Sequence, residues 1–180
     1  MKILVSIALT ILLSLPTTTP VALGQKAPAV RLLKDGQFFQ VLSDHIGHAT
    51  HEIVVSMFLF KTRPNSSNRA NMILKDLVTA QKRGVRVRVL LERAGRRDNS
   101  LNQENLVTSK RLRQHGVQVL FDSPDTTTHT KAIVIDKRFV FIGSHNLTHS
   151  ALSHNHELSV LIDNPELARD VTAYLIELGT

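Results

Sequence analysis

The sequence predicts an α/β protein with one mixed, largely parallel sheet sandwiched between helices. Three observations carry this. Runs rich in Val, Ile and Leu alternate with amphipathic stretches along the chain, the pattern of strands that take turns with helices. Two amphipathic stretches stop at a glycine, Gly84 and Gly116, just before the next apolar run, as helices do when they turn back into a strand. The run HEIVVSMFLF from His51 is almost continuously apolar, as a strand covered on both faces must be.

In chain order, residues 38–49 place Phe38, Val41, Leu42 and Ile46 near one helical face. The strand from His51 follows, then a loop over 61–68 with Pro64, Asn65, Ser66 and Ser67. A helix is expected from about Arg69 to Arg83, a strand in VRVRVLLE from Val85, and a polar loop over 93–100. Residues 102–115 read as the next helix, VQVLFD as a strand and SPDTTT as a loop. The stretch HTKAIVIDKRFVFIGSHN reads as a hairpin, HELSVLID as a strand, and NPELARDVTAYLIEL as a closing helix with an Asn N-cap and proline in its first turn.

The chain has 180 residues and 42% hydrophobic content, enough for one domain with a real core. Its formal charge of +7 suits a polyanionic partner, either nucleic acid or an anionic lipid surface. Aromatic content is 4% without tryptophan, which favours gripping phosphates over stacking bases. The absence of cysteine excludes disulfides, thiolate metal sites and cysteine nucleophiles.

The first 24 residues open with one basic residue, Lys2, continue as an apolar run from Ile3 to Leu15, and end in Ala22-Leu23-Gly24. The apolar run is short for a bilayer span and has the order of a secretory signal peptide with a small-x-small cleavage site. An uncleaved anchor is the alternative. The expectation is a signal over residues 1–24, a catalytic domain over 25–180, and export to a bacterial periplasm or beyond. Cleavage would remove only Lys2 from the charged residues and leave +6.

Chemistry concentrates in residues 129–146. His129 and Lys131 lie two apart on a strand and point to one face. Asp136, beside Lys137 and Arg138, falls at the hairpin turn and is best read as structural. Ser144 and Asn146 share a face after Gly143, and the hairpin can bring that face beside His129 and Lys131. An imidazole nucleophile or base then meets three donors suited to an oxyanion, the requirement of phosphoryl chemistry.

The spacing of His129, Lys131, Asp136, Gly143, Ser144 and Asn146 resembles the HKD signature of the phospholipase D superfamily. The short chain, single motif and export signal resemble its small bacterial endonuclease branch. The resemblance implies a metal-independent phosphodiesterase without a cofactor. His129 would attack phosphorus to form a phosphohistidine, Lys131 and Asn146 would hold phosphate oxygens, and Ser144 would support that network. Glu157 matches the family's downstream carboxylate and would accept a hydrogen bond from the ring of His129. A second motif histidine is required in the family, and this chain carries one motif. The expectation is therefore a homodimer whose two copies share an active site.

Competing readings differ by class. Within enzymes, the same site would serve a phospholipase acting on phosphatidyl lipids, for which the sequence shows no clear apolar entry. Outside them stands a non-catalytic nucleic-acid-binding module, against which the intact motif argues. Histidine spacings at His45, His48 and His51, at His145 and His149, and at His154 and His156 invite zinc, but the expectation is no metal, with His145 bordering the cleft. Arg93, Arg96 and Arg97 follow the end of a strand, where ligand sites of α/β sheets gather. They are expected to meet the phosphates of DNA or RNA.

Overall fold

In the computed structural model the structure describes residues 29–64, 67–93, 99–123 and 125–179. The expected signal over residues 1–24, together with Arg96 and Arg97, lies outside these. The elements are β1 (Ala29–Lys34), α1 (Gln37–His48), β2 (Glu52–Met57), α2 (Arg69–Lys82), β3 (Arg86–Leu91), α3 (Asn99–Arg113), β4 (Gln118–Phe121), β5 (Lys131–Ile135), β6 (Phe139–Gly143), α4 (His149–Ser153), β7 (Leu158–Asp163) and α5 (Pro165–Glu177).

The strands form one seven-stranded sheet in the order β1-β7-β6-β5-β2-β3-β4. The mixed α/β class holds. β2, β3 and β4 pair in parallel, whereas β1 with β7, β7 with β6, β6 with β5 and β5 with β2 pair antiparallel. Five strands run one way, but β5 and β7 are interleaved against them. Pairing is thus mostly antiparallel, not largely parallel. The hairpin from β5 to β6 accounts for one of these four antiparallel pairs, because a tight turn can only return a strand beside itself in the opposite sense.

Two core layers hold the sheet. On one face, Leu42, Ile46, Ile73, Leu77, Leu112 and Leu152 from α1 to α4 pack against strand residues including Val55, Val89, Ile133 and Phe141. On the other, Ala168 and Leu175 of α5 meet Val54, Ala132, Val134 and Val140. Each fully buried Val, Leu or Ile among these contributes about 2 kcal/mol. α5 starts where predicted, with Asn164 accepting from Glu166 N at 2.9 Å and Leu167 N at 3.2 Å ahead of Pro165. It leaves Val30, Leu32, Ile142 and Leu158 of the same sheet face exposed.

Two elements, β1 and α4, were not expected. β1 is an edge strand with a single buried residue, Leu33, so it carries no alternation to read. α4 spans five residues, too few for a helical period. α3 begins at Asn99, three residues ahead of the expected start at Asn102.

Candidate active site

The site forms at one edge of the sheet because of strand direction. The carboxyl ends of β2, β3, β4 and β6 and the amino ends of β5 and β7 all reach this edge. It is the end at which open α/β sheets place their ligands. His129 stands exposed just before β5, and Lys131 opens β5. Ser144 and Asn146 follow β6, and Glu157 precedes β7.

His129 and Lys131 are joined through Phe58, which the sequence did not single out. The ring of Phe58 lies 4.5 Å from that of His129, and Lys131 Nζ sits 5.0 Å from its centroid. Lys131 Nζ also donates to the His129 carbonyl oxygen at 2.9 Å. Burial pushes the Lys131 ammonium below its ordinary pKa, and the nearby Glu157 carboxylate offsets part of that.

Gly143 is required by close approach: a Cβ there would overlap Ser159 Cα and Leu158 O on the neighbouring strand. That approach lets Ser144 bridge the strands. Its N donates to Leu158 O at 3.1 Å, its Oγ accepts from Leu158 N at 3.1 Å, and its hydroxyl donates to Glu157 Oε2. Asn155 Nδ2 donates to Glu157 Oε1 at 3.0 Å. Glu157 was expected to accept from the ring of His129. Instead, its two oxygens are taken by Ser144 and Asn155, because β7 neighbours β6 while β5, which follows His129, lies one strand further.

Asp35 anchors the same corner. Its N donates to Glu157 O at 3.0 Å, and its Oδ1 accepts from Glu157 N at 2.9 Å. That backbone bond holds the Asp35 carboxyl below its usual pKa, with help from His156 and His145. His145 is buried rather than at the cleft, stacked on Phe38 at 4.3 Å. Its Nε2 donates to Asp35 O at 3.0 Å, so Nδ1 accepts from Ser159 Oγ at 2.7 Å. Burial pushes its pKa down, which suits a neutral core imidazole. The Asn146 carboxamide oxygen is buried without a hydrogen-bond donor.

Asp136 does not join this group. It sits at the opposite end of β5, in a two-residue turn with Lys137 at φ values of 53° and 53°. Its carboxylate accepts from Thr50 N at 2.9 Å, His51 N at 2.8 Å and Glu52 N at 3.1 Å, as well as from the Thr50 hydroxyl. The structural reading applies, and Asp136, although one of the motif residues counted with the catalytic candidates, stands apart from the others: a strand of five residues separates it from Lys131.

Two further carboxylates lie behind His129. Glu92 Oε2 accepts from Thr128 N at 2.6 Å, and Thr128 Oγ1 donates to Asp122 Oδ2. All three residues are buried. Burial pushes the Glu92 carboxyl up, only partly countered by the Thr128 bond, and the neighbouring Asp122 adds to the rise. The signal for this clamp was legible: each acid ends an apolar strand, in VRVLLE and VQVLFD. Arg93 follows Glu92 and is exposed at the same edge. Among the described residues, no group of three or more His, Cys, Asp or Glu is placed to hold a metal ion. His45 and His48 instead engage carbonyl oxygens of their own helix.

Comparison with known proteins identifies the family and the fold. The family model described as "Cardiolipin synthase, PLD-like domain" matches residues 42–178. A Rickettsia prowazekii protein named phospholipase D is 38% identical over 98 residues, covering 54% of this chain and 45% of that protein. The chain thus aligns with less than half the length of that relative. The crystal structure of a phospholipase D family member, Nuc from Salmonella typhimurium, superposes with a TM-score of 0.70 at 27% identity, covering 84% of this chain and 93% of that one. NucT from Helicobacter pylori shares the fold, with a TM-score of 0.64 at 15% identity over 84% of this chain and 95% of that one.

Proposed function

The chain belongs to the phospholipase D superfamily, and on that premise we propose that it is an endonuclease, hydrolysing DNA or RNA through a phosphohistidine. One observation carries the reading. His129 and Lys131, held together by Phe58, stand at the same sheet edge as the Ser144–Glu157 pair. A ring nitrogen of His129 attacks phosphorus, and the leaving alkoxide departs with the electrons of its P–O bond. His129 of a second copy, protonated, gives that oxygen its proton. The neutral imidazole then takes a proton from water, whose oxygen attacks phosphorus and expels the first His129. Lys131 and Asn146 donate to the non-bridging oxygens as charge builds, and Ser144, bonded to Glu157, supports that network. Glu157 orients Ser144 and lends negative charge beside Lys131.

The second copy has a surface to meet. Val30, Leu32, Ile142 and Leu158 are 61%, 48%, 43% and 56% exposed, and Leu158 and Ile142 adjoin Glu157 and Gly143 in the chain. An apolar strip beside a half-complete site fits a two-fold partner that brings the second histidine. The strip also revives a second reading, because it is the apolar entry that the sequence did not show. Together with the relatives named phospholipase D, it supports phosphatidyl lipid as the alternative substrate. The basic charge of +7 favours nucleic acid. We further propose that residues 1–24 direct export, which N-terminal sequencing of secreted protein would check.

Plasmid cleavage in excess chelator, run beside His129→Ala and beside phosphatidylcholine vesicles, tests the function. Nicking by the wild type alone supports the nuclease. Choline release without nicking replaces it with the lipid reading, and loss of nicking in chelator overturns metal independence.

A further inference from the structure

Beside the catalytic edge lies a cleft of about 350 Å³ lined by Leu59, Lys61, Arg63, Asn68, Thr148 and His149. Its two walls are the chain leaving β2 and the chain leaving Asn146. They are tied by a parallel bridge between Phe60 and Leu147, with Lys61 N donating to Leu147 O at 3.0 Å and Leu147 N to Leu59 O at 3.1 Å. The cleft therefore begins one or two residues beyond a proposed phosphate-holding side chain. Two extended residues cover about 7 Å, the order of one nucleotide step.

The wall carrying the cations is held from beneath by buried polar side chains. Asn105 accepts from Phe60 N at 2.9 Å and donates to Phe58 O at 3.0 Å and Glu92 O at 2.9 Å. Thr108 pairs with the Thr62 hydroxyl at 2.9 Å, and Asn71 accepts from Arg63 N at 3.0 Å. All of these side chains are at most 1% exposed. Buried networks of this kind rigidify what they hold, and here they hold the backbone that presents Lys61 and Arg63. Those two side chains remain 39% and 54% exposed and share one carboxylate: Glu104 lies 2.9 Å from Lys61 Nζ and 2.9 Å from Arg63 Nη2. Two cations on one anion leave a net positive charge facing the cleft.

We propose that this cleft is a subsite for a backbone phosphate flanking the scissile one, with Lys61 and Arg63 as its cations and Glu104 as their resident counter-ion. The proposal rests on the nuclease reading and deepens it: a second phosphate at this spacing is a feature of a nucleic-acid strand and not of a diacyl phospholipid. Glu104 keeps the pair ordered in the free protein, so that less freedom is lost when a phosphate arrives.

The test compares two substrates, a single-stranded oligodeoxynucleotide and bis(p-nitrophenyl) phosphate, a diester with no flanking phosphate. Lys61→Gln/Arg63→Gln is expected to lose about tenfold or more in kcat/KM on the oligonucleotide, mainly through KM, with the log–log salt dependence flattened by about one unit. Turnover of the small diester should stay within about twofold. Glu104→Gln should move the opposite way, lowering KM on the oligonucleotide and steepening its salt dependence, which a merely structural role would not produce. Equal losses on both substrates, or unchanged oligonucleotide kinetics in an active enzyme, would overturn the subsite and leave the nuclease intact. A wild type that turns over the small diester and no oligonucleotide would overturn the nuclease reading as well.

Discussion

His129 has the most direct prediction attached to it. As the proposed nucleophile it would act as one unit with its partners, so His129→Ala should fall by roughly 10³-fold or more in kcat with its melting temperature retained. Lys131 offers a subtler one. Burial already lowers its pKa, and Glu157 opposes that. Glu157→Gln removes the opposing charge, so Lys131 should lose its proton at a lower pH. The alkaline limb of the pH–rate profile is then expected to move to lower pH, and an unmoved limb would show that Lys131 does not set it. The sequence made His129, Lys131, Ser144 and Asn146 visible because they sit at fixed intervals. Phe58 and Asp35 were not visible, since a lone phenylalanine in an apolar strand and an aspartate after an unread edge strand look like any others.

Elements fix these residues, and two carboxylates show how. Asp136 joins the turn after β5 to the start of β2 through three backbone N–H groups and the Thr50 hydroxyl. Its burial alone would raise its pKa, but those bonds outweigh it and hold the carboxyl below 3.8. A depressed carboxylate stabilises the fold above its unfolded pKa, and that stability is lost as pH falls through the folded value. Asp136→Ala should therefore cost about 2 kcal/mol in denaturant melts at neutral pH while leaving kcat within a fewfold of wild type. Asp136→Asn should show a shallower loss of stability on acidification. Glu92 behaves with the opposite sign. Its pKa is raised above 4.5, so its charged form is disfavoured in the fold, and the protein gains from its protonation as pH falls through the folded value. Glu92→Gln keeps an acceptor for Thr128 and removes the negative charge that Asp122 faces. It should equal or exceed wild-type stability at neutral pH and lack the acid-side gain; a marked loss would mean that the charge itself is needed behind His129.

Charge and association act over the whole molecule. Arg93→Gln/Arg96→Gln/Arg97→Gln is expected to flatten the salt dependence of DNA binding, and an unchanged slope would remove that loop from the interface. Leu158→Asp, at a 56% exposed position, should leave the fold intact but yield monomers by sedimentation, with activity lost in proportion. Full activity from the monomer would overturn the shared site. Mixed dimers of wild type and His129→Ala should be nearly inactive, because the proposed shared site uses both histidines.

The sequence by itself determined the alternation of strands and helices, the ends of the helices at Gly84, Gly116 and Asn164, and the chemical identity of the motif. All of these are local: periodicity, caps and intervals are written within a few residues of where they act. Only the tertiary structure decided which distant segments become neighbours. The order β7-β6-β5 gives Glu157 to Ser144 rather than to His129. The length of β5 carries Asp136 away from the site, and the pairing of β1 with β7 brings Asp35 to it. Strand order is set by which apolar faces and backbone edges satisfy one another across the whole sheet, a competition among long-range contacts that no short window of residues contains.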